Sequence, residues 1–200
     1  MAESFSPGAT AIGLVYNKGV VLAAEKRVTY GFTLLSKSGK KVFKITDRLG
    51  LAAAGIIADM QAISRSLAAE VKLYELENNR PISVKSAAKL LSQIMFSRRL
   101  SPYFTEIIIG GYDPSGPHLF ILDPWGSLIE DKYAALGTGT KIAIGILEEN
   151  YRENLSKENA KELAIRAIKT AIERDAVSGD GIDLLIIDSE KGLEEKSIPL

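Results

Sequence analysis

Thr10-Ala11-Ile12-Gly13-Leu14-Val15-Tyr16, followed by Asn17-Lys18-Gly19 and Val20-Val21-Leu22-Ala23-Ala24, is the stretch that decides the fold. Two apolar runs flank a glycine turn, and this pattern predicts a β-hairpin. Lys41-Val42-Phe43-Lys44-Ile45 and Leu49 to Ala54 predict a second pair around Thr46-Asp47-Arg48. The period then changes. Met60, Ile63, Leu67, Val71 and Tyr74 recur at spacings of three and four, the mark of one apolar face of a long helix. Asn78-Asn79-Arg80-Pro81 ends that helix, and Ser83 is an N-cap for a second one reaching about Arg98.

Strands return at Glu106 to Gly110 and Leu119 to Leu122, with Asp113-Pro114-Ser115-Gly116 as the turn between them. Shorter strands are expected at Ser127 to Glu130 and Tyr133 to Leu136. Two further helices are expected at about Lys141 to Tyr151 and Ser156 to Asp175. The second carries a narrow apolar stripe of Leu163, Ala167, Ile168, Ala171 and Ile172. Ile182 to Ile187 predicts the last strand, and the charged tail after Asp188 is expected to be loose. Helix pairs separated by antiparallel sheet imply stacked layers with helices outside and sheets inside. Periodicity alone reaches no further than α+β.

A chain of 200 residues is long enough for one domain with a sizeable core. Lys+Arg and Asp+Glu balance at 25 each, so charge gives no case for nucleic acid or a membrane surface. No apolar run approaches the ~18–20 residues of a membrane helix. Met1 to Pro7 is polar and acidic, without the apolar core of a signal peptide. The sequence has no cysteine, which excludes disulfides, thiolate zinc sites and cysteine nucleophiles. These features together imply a cytoplasmic protein. The one histidine, His118, reads as a strand residue just after a turn. No Asp/Glu cluster has metal-ligand spacing, so neither a metal nor another cofactor is expected. A hydrolase built on this chain would need a base other than histidine.

Six blocks, in order, carry a resemblance. They are Thr10-Ala11-Ile12-Gly13, Ala23-Ala24-Glu25-Lys26-Arg27, Gly39-Lys40-Lys41-Val42-Phe43, Ala53-Ala54-Gly55, Tyr133 to Gly139 and Arg174-Asp175-Ala176-Val177-Ser178-Gly179. From about Gly8 to Asp188 the chain resembles archaeal proteasome β subunits, which are N-terminal-nucleophile hydrolases of the threonine protease type. The resemblance implies a four-layer αββα sandwich, with a short leader over residues 1–9 and one domain over residues 10–200. It also implies partners: proteasome α subunits and other β subunits in stacked seven-membered rings, an unfolding ATPase upstream, and unfolded proteins as substrates.

The family's chemistry has a physical logic. A threonine hydroxyl attacks only once a base takes its proton. The free α-amino group of the same residue can serve, because its pKa of ~8 lies near neutrality while that of lysine, ~10.4, does not. By resemblance, Lys41 is the buried cation beside the nucleophile, Glu25 pairs with it and Arg27 braces the cluster. Gly55 stands for the oxyanion-hole glycine, and Asp175 and Ser178 for the pair supporting the amino group. Thr138 occupies a place where many relatives have serine. Val28, Thr29, Ala53 and Ile57 would line the substrate channel and its first specificity pocket. By residue type alone, without the ordered blocks, Glu25, Arg27 and Lys41 read first as strand-surface charges.

The nucleophile's own place is different. The family threonine stands four residues before the glycine aligned with Gly13, and here that residue is Ala9. Glu25 lies sixteen residues after Ala9 and Lys41 thirty-two, as the family pattern has them. Gly8 precedes Ala9 as a glycine precedes the processing site. Alanine has no hydroxyl, so this reading makes the subunit non-catalytic and structural, supporting an active partner β subunit. The alternative makes Thr10 the nucleophile after leader removal. It shifts every spacing by one, and on a strand that turns the side chain to the opposite face.

Overall fold

The computed structural model describes residues 8–31 and 33–200, so residues 1–7 of the expected leader lie outside the described residues. The chain opens with β1 (Thr10–Tyr16) and β2 (Gly19–Glu25), paired as the expected hairpin with Ala11 opposite Ala24. A small hairpin follows, β3 (Val28–Tyr30) with β4 (Thr33–Ser36), and then β5 (Val42–Thr46) and β6 (Leu49–Gly55). Helices α1 (Ile57–Asn78) and α2 (Val84–Ser97) come next. The second half runs β7 (Thr105–Asp113), β8 (Gly116–Leu122), β9 (Ile129–Glu130), β10 (Tyr133–Gly137), α3 (Thr140–Asn150), α4 (Lys157–Ile172), β11 (Ile182–Asp188) and β12 (Gly192–Ile198).

Local chemistry sets the helix ends. The Ser83 and Ser156 hydroxyls accept the backbone N–H of Ser86 and Asn159, at 3.1 and 3.2 Å, as N-cap residues do. Asn79 ends α1 in the left-handed conformation, with φ 50°. On α1 the residues at spacings of three and four, Met60, Ile63, Leu67 and Val71, are the buried ones. Each large aliphatic side chain buried in this way contributes roughly 1.5–3 kcal/mol.

Two five-stranded antiparallel sheets result, ordered β10-β1-β2-β11-β12 and β5-β6-β7-β8-β9. Two apolar layers join them to the helices and a third joins them to each other. Met60, Leu67, Leu91 and Ile109 pack α1 and α2 on the second sheet, while Ile12, Leu14, Ala167 and Ile168 pack α3 and α4 on the first. Ala9, Ala11, Leu22, Ala52, Ile108 and Leu185 fill the space between the sheets. This is the four-layer αββα arrangement, an α+β fold as expected.

Two segments differ from the sequence expectation. The tail after Asp188 is not loose: β12 pairs with β11 along its length, Ile182 opposite Ile198 and Asp188 opposite Gly192. The turn is built by Asp188 Oδ1, which accepts the N–H groups of Glu190 and Lys191 at 2.9 Å each, and by Gly192 at φ 76°. The second difference is the β3–β4 hairpin, whose short strands carry no clean alternation.

Candidate active site

The starts of β1 and β5, the ends of β2 and β6, and the loop between α4 and β11 converge at one end of the sandwich. Glu25, at the end of β2, is completely buried, and Lys41, just before β5, is 1% exposed. The Lys41 ammonium donates to Glu25 Oε1 and to the Arg27 carbonyl, the latter at 2.6 Å. Glu25 Oε2 accepts the N–H groups of Arg27 at 2.7 Å and Gly179 at 3.0 Å, and Oε1 accepts that of Thr10 at 3.2 Å. Burial pushes the Glu25 carboxyl up and the Lys41 ammonium down, while their mutual attraction opposes both shifts. Two charges this far from water are tolerable only because each satisfies the other and the backbone supplies the remaining partners.

A second chain of hydrogen bonds runs beside the first. Ala9 donates its N–H to the Thr138 hydroxyl at 3.3 Å, and its carbonyl accepts the Thr138 N–H at 2.8 Å. Thr138 Oγ1 lies 2.5 Å from Asp175 Oδ2, which also accepts from the Ser178 hydroxyl at 2.6 Å. Ser178 Oγ in turn lies 2.8 Å from Thr10 Oγ1. Thr138, Asp175 and Ser178 thus bracket the backbone of Ala9 and Thr10.

Ala9 and Thr10 point to different sides. The Ala9 methyl belongs to the apolar layer between the sheets. The Thr10 hydroxyl is fully buried, and a Cβ added at Gly139 would come within 2.1 Å of it and 3.1 Å of Ala171 on α4. Strand alternation is the cause.

A cleft of about 160 Å³ lies over the buried pair, lined by Gly8, Arg27, Val28, Thr29, Lys41, Gly55, Ile56, Ile57 and Ala58. Gly55 has φ 137°, a conformation suited to glycine, and a Cβ there would stand 2.2 Å from the Phe104 carbonyl oxygen. Gly55 also borders a wider cleft of about 640 Å³, whose walls include Glu106, Thr138, Thr140 and Lys141. Ala53, expected in the channel, is instead fully buried in the core layer beneath α1 and lines neither cleft. Among the described residues no group of three or more His, Cys, Asp and Glu side chains is arranged to hold a metal ion. Among the described residues no helix is long and apolar enough to cross a membrane.

Two carboxylates of this end are absent from the sequence-based set. Asp180 grips the Arg27 guanidinium, with Oδ2 2.8 Å from Nε. Glu106 Oε2 accepts the Gly137 N–H at 3.1 Å. The one signal for Asp180 was its place between Gly179 and Gly181; Glu106 gave none beyond standing at the start of a strand.

Comparison with known proteins identifies the family. The family model for proteasome subunits matches residues 5–187. The chain is 57% identical to proteasome subunit beta 2 of Pyrobaculum calidifontis, over 98% of this chain and 97% of that protein. It is 52% identical to proteasome subunit beta 2 of Thermofilum pendens, over 97% and 94% respectively. With proteasome subunit beta 1 of Hyperthermus butylicus the identity is 51% over the full length of both. A match this long, at these identities, places the chain in the proteasome subunit family, as a β subunit of the core particle.

Proposed function

We propose that this chain is a non-catalytic β subunit, a structural member of the core particle that keeps the outline of a threonine-protease site without its nucleophile. The observation that carries this reading is the pair Ala9 and Thr10. Residue 9 carries only a methyl, while the hydroxyl of residue 10 is committed to Ser178 on the helix side. Gly8, and not Thr10, shares the cleft of Lys41 and Gly55.

One substitution removes two parts of the chemistry. A methyl cannot attack a peptide carbonyl. It also cannot promote cleavage of the Gly8–Ala9 bond, because self-processing needs a hydroxyl on the residue after that bond. Residue 9 then keeps an amide nitrogen in place of a free α-amine, and the base is missing along with the nucleophile. What remains is a preorganised but idle site: Lys41 with two of its three protons engaged, a glycine able to present its N–H, and the Asp175–Ser178–Thr138 chain.

In this reading one cytoplasmic domain over residues 10–200, behind a retained leader, fills places in a seven-membered β ring. It supports a β subunit with an intact threonine and stacks on α subunits. An unfolding ATPase feeds the chamber with unfolded chains.

Ala9→Thr tests the reading. Assembled with α subunits, the variant is expected to lose residues 1–8 by intact mass and to gain peptidase activity, while the native chain does neither. A second reading, with Thr10 as nucleophile, draws its support from the hydrogen bonds that join the Thr10 hydroxyl to Ser178 and Ser178 to Asp175. Loss of nine residues from the native chain, leaving Thr10 first, together with peptidase activity, would overturn the non-catalytic reading in favour of this one.

A further inference from the structure

The loop between α4 and β11 carries a carboxylate that the roles above leave unused. Asp180 has φ 66°, in the left-handed region where non-glycine residues are uncommon and aspartate is among the better tolerated. Its two oxygens take the Arg27 fork, Oδ2 from Nε at 2.8 Å and Oδ1 from Nη2 at 3.4 Å. Arg27 Nη1 donates to the Ala176 carbonyl at 3.0 Å. The guanidinium passes directly over Gly179, where a Cβ would stand 2.4 Å from Nη2, so the loop is bare where the side chain crosses it. The guanidinium beside it holds the Asp180 carboxyl below its ordinary range, and Asp180 raises Arg27 in return.

The main chain of Arg27 does something else. Its N–H donates to Glu25 Oε2 at 2.7 Å and to the Gly179 carbonyl at 3.1 Å, and its own carbonyl accepts from the Lys41 ammonium at 2.6 Å. One residue therefore touches both members of the buried ion pair through its backbone, while its side chain is fastened elsewhere. An ammonium is a point charge on a flexible stem with little orientation of its own. With two protons held by Glu25 and the Arg27 carbonyl, the direction of the third follows from where those two acceptors stand.

We propose that Asp180 is a positioning residue of the Lys41 site: by clamping the Arg27 guanidinium it fixes the Arg27 carbonyl, and through that carbonyl it aims the Lys41 ammonium. The inference rests on the reading of this cluster as a threonine-protease site lacking its nucleophile. Asp180 itself touches neither substrate nor the reacting atoms, and acts only through Arg27.

Two variants separate the clamp from the fold. Asp180→Asn keeps the shape and one acceptor, and Asp180→Gly keeps the left-handed backbone with no side chain. In the native chain carrying Ala9, with lysine side chains ¹⁵N-labelled and Lys41 assigned by its own substitution, the Lys41 Nζ resonance is expected to move in Asp180→Gly and less in Asp180→Asn. An unmoved resonance in both folded variants overturns the proposal, whatever becomes of Ala9→Thr. In the Ala9→Thr background, Asp180→Gly is expected to lower kcat about tenfold with KM within about twofold, because misplacement near a reacting centre costs rate more than binding. Unchanged kcat in assembled, processed rings also overturns it. An Ala9→Thr parent that stays unprocessed sinks the placement of the nucleophile instead, and leaves the resonance as the deciding measurement.

Discussion

Two hydrogen-bonded clusters of charge stand at opposite ends of β1, and they obey different physics. At the start of β1, Glu25 and Lys41 are 0% and 1% exposed at the side chain and take every partner from protein. Near its far end, the β7–β8 turn holds Asp113, Ser115 and His118 against Glu130 of β9. Ser115 Oγ lies 2.8 Å from His118 Nε2, and Glu130 Oε1 lies 2.7 Å from His118 Nδ1. The histidine side of that second cluster reaches water, with the His118 and Glu130 side chains 25% and 48% exposed, while Asp113 beneath it is 8% exposed. Both clusters rest on hydrogen bonds to a glutamate, and access to water separates them. A charge that can fall back on water contributes little when paired, and one that cannot is costly to strand.

The widest separation is expected from Lys41→Met. It strands the Glu25 carboxylate and should lower unfolding free energy by about 3–5 kcal/mol in a denaturant titration near neutral pH. Because burial already raises the Glu25 carboxyl, the stranded group takes up a proton as pH falls, and the deficit should shrink on acidification. The double change Glu25→Gln with Lys41→Met should cost clearly less than Lys41→Met alone. A single-variant loss below about 1 kcal/mol would put this end in the wet class and break the comparison. At the other end, His118→Ala should cost no more than about 1 kcal/mol by the same titration.

The smallest effect concerns Asp113 and sharpens the contrast through pH. Burial alone would raise its carboxyl, but hydrogen bonds from the Ser115 hydroxyl, the Ser115 N–H and the Val84 N–H at the start of α2 outweigh it and hold it low. A depressed carboxyl stabilises the fold above its ordinary value of ~3.9 and loses that contribution as pH falls through the lower folded value. The hydrogen-exchange protection factor of Val84 should therefore decline below that range. Constant protection down to the acid unfolding transition would show that Asp113 does not hold the start of α2.

What could be read from the sequence follows the same division between local and distant causes. The apolar run Thr10–Tyr16 and the three-and-four spacing of Met60, Ile63, Leu67 and Val71 are local, and the structure buries that whole strand and that helix face. The Ser83 and Ser156 caps are local too. The last strand, β12, was hidden because Glu194, Glu195 and Lys196 read as a solvated run, and its pairing partner β11 supplies the order. At the site, Glu25 and Lys41 stood out through spacing along a family pattern, whereas their burial depends on the α4–β11 loop far along the chain. Asp180 looked like any loop carboxylate until Arg27 arrived from the other end of the sequence. The family resemblance implies a channel position for Ala53, yet alternation along β6 turns it toward α1.

The charged run of β12 has one more consequence. It forms the open margin of a five-stranded sheet, and its side chains are already engaged there: Glu194 with Lys157 and Lys196, and Glu195 with Lys40. A foreign strand laid against that margin would have to draw these ion pairs out of water for a gain of a few backbone bonds. The sheet therefore has a built-in end on this side. Neighbouring subunits of the core particle are steered to meet it through faces and loops, and accidental strand addition is discouraged.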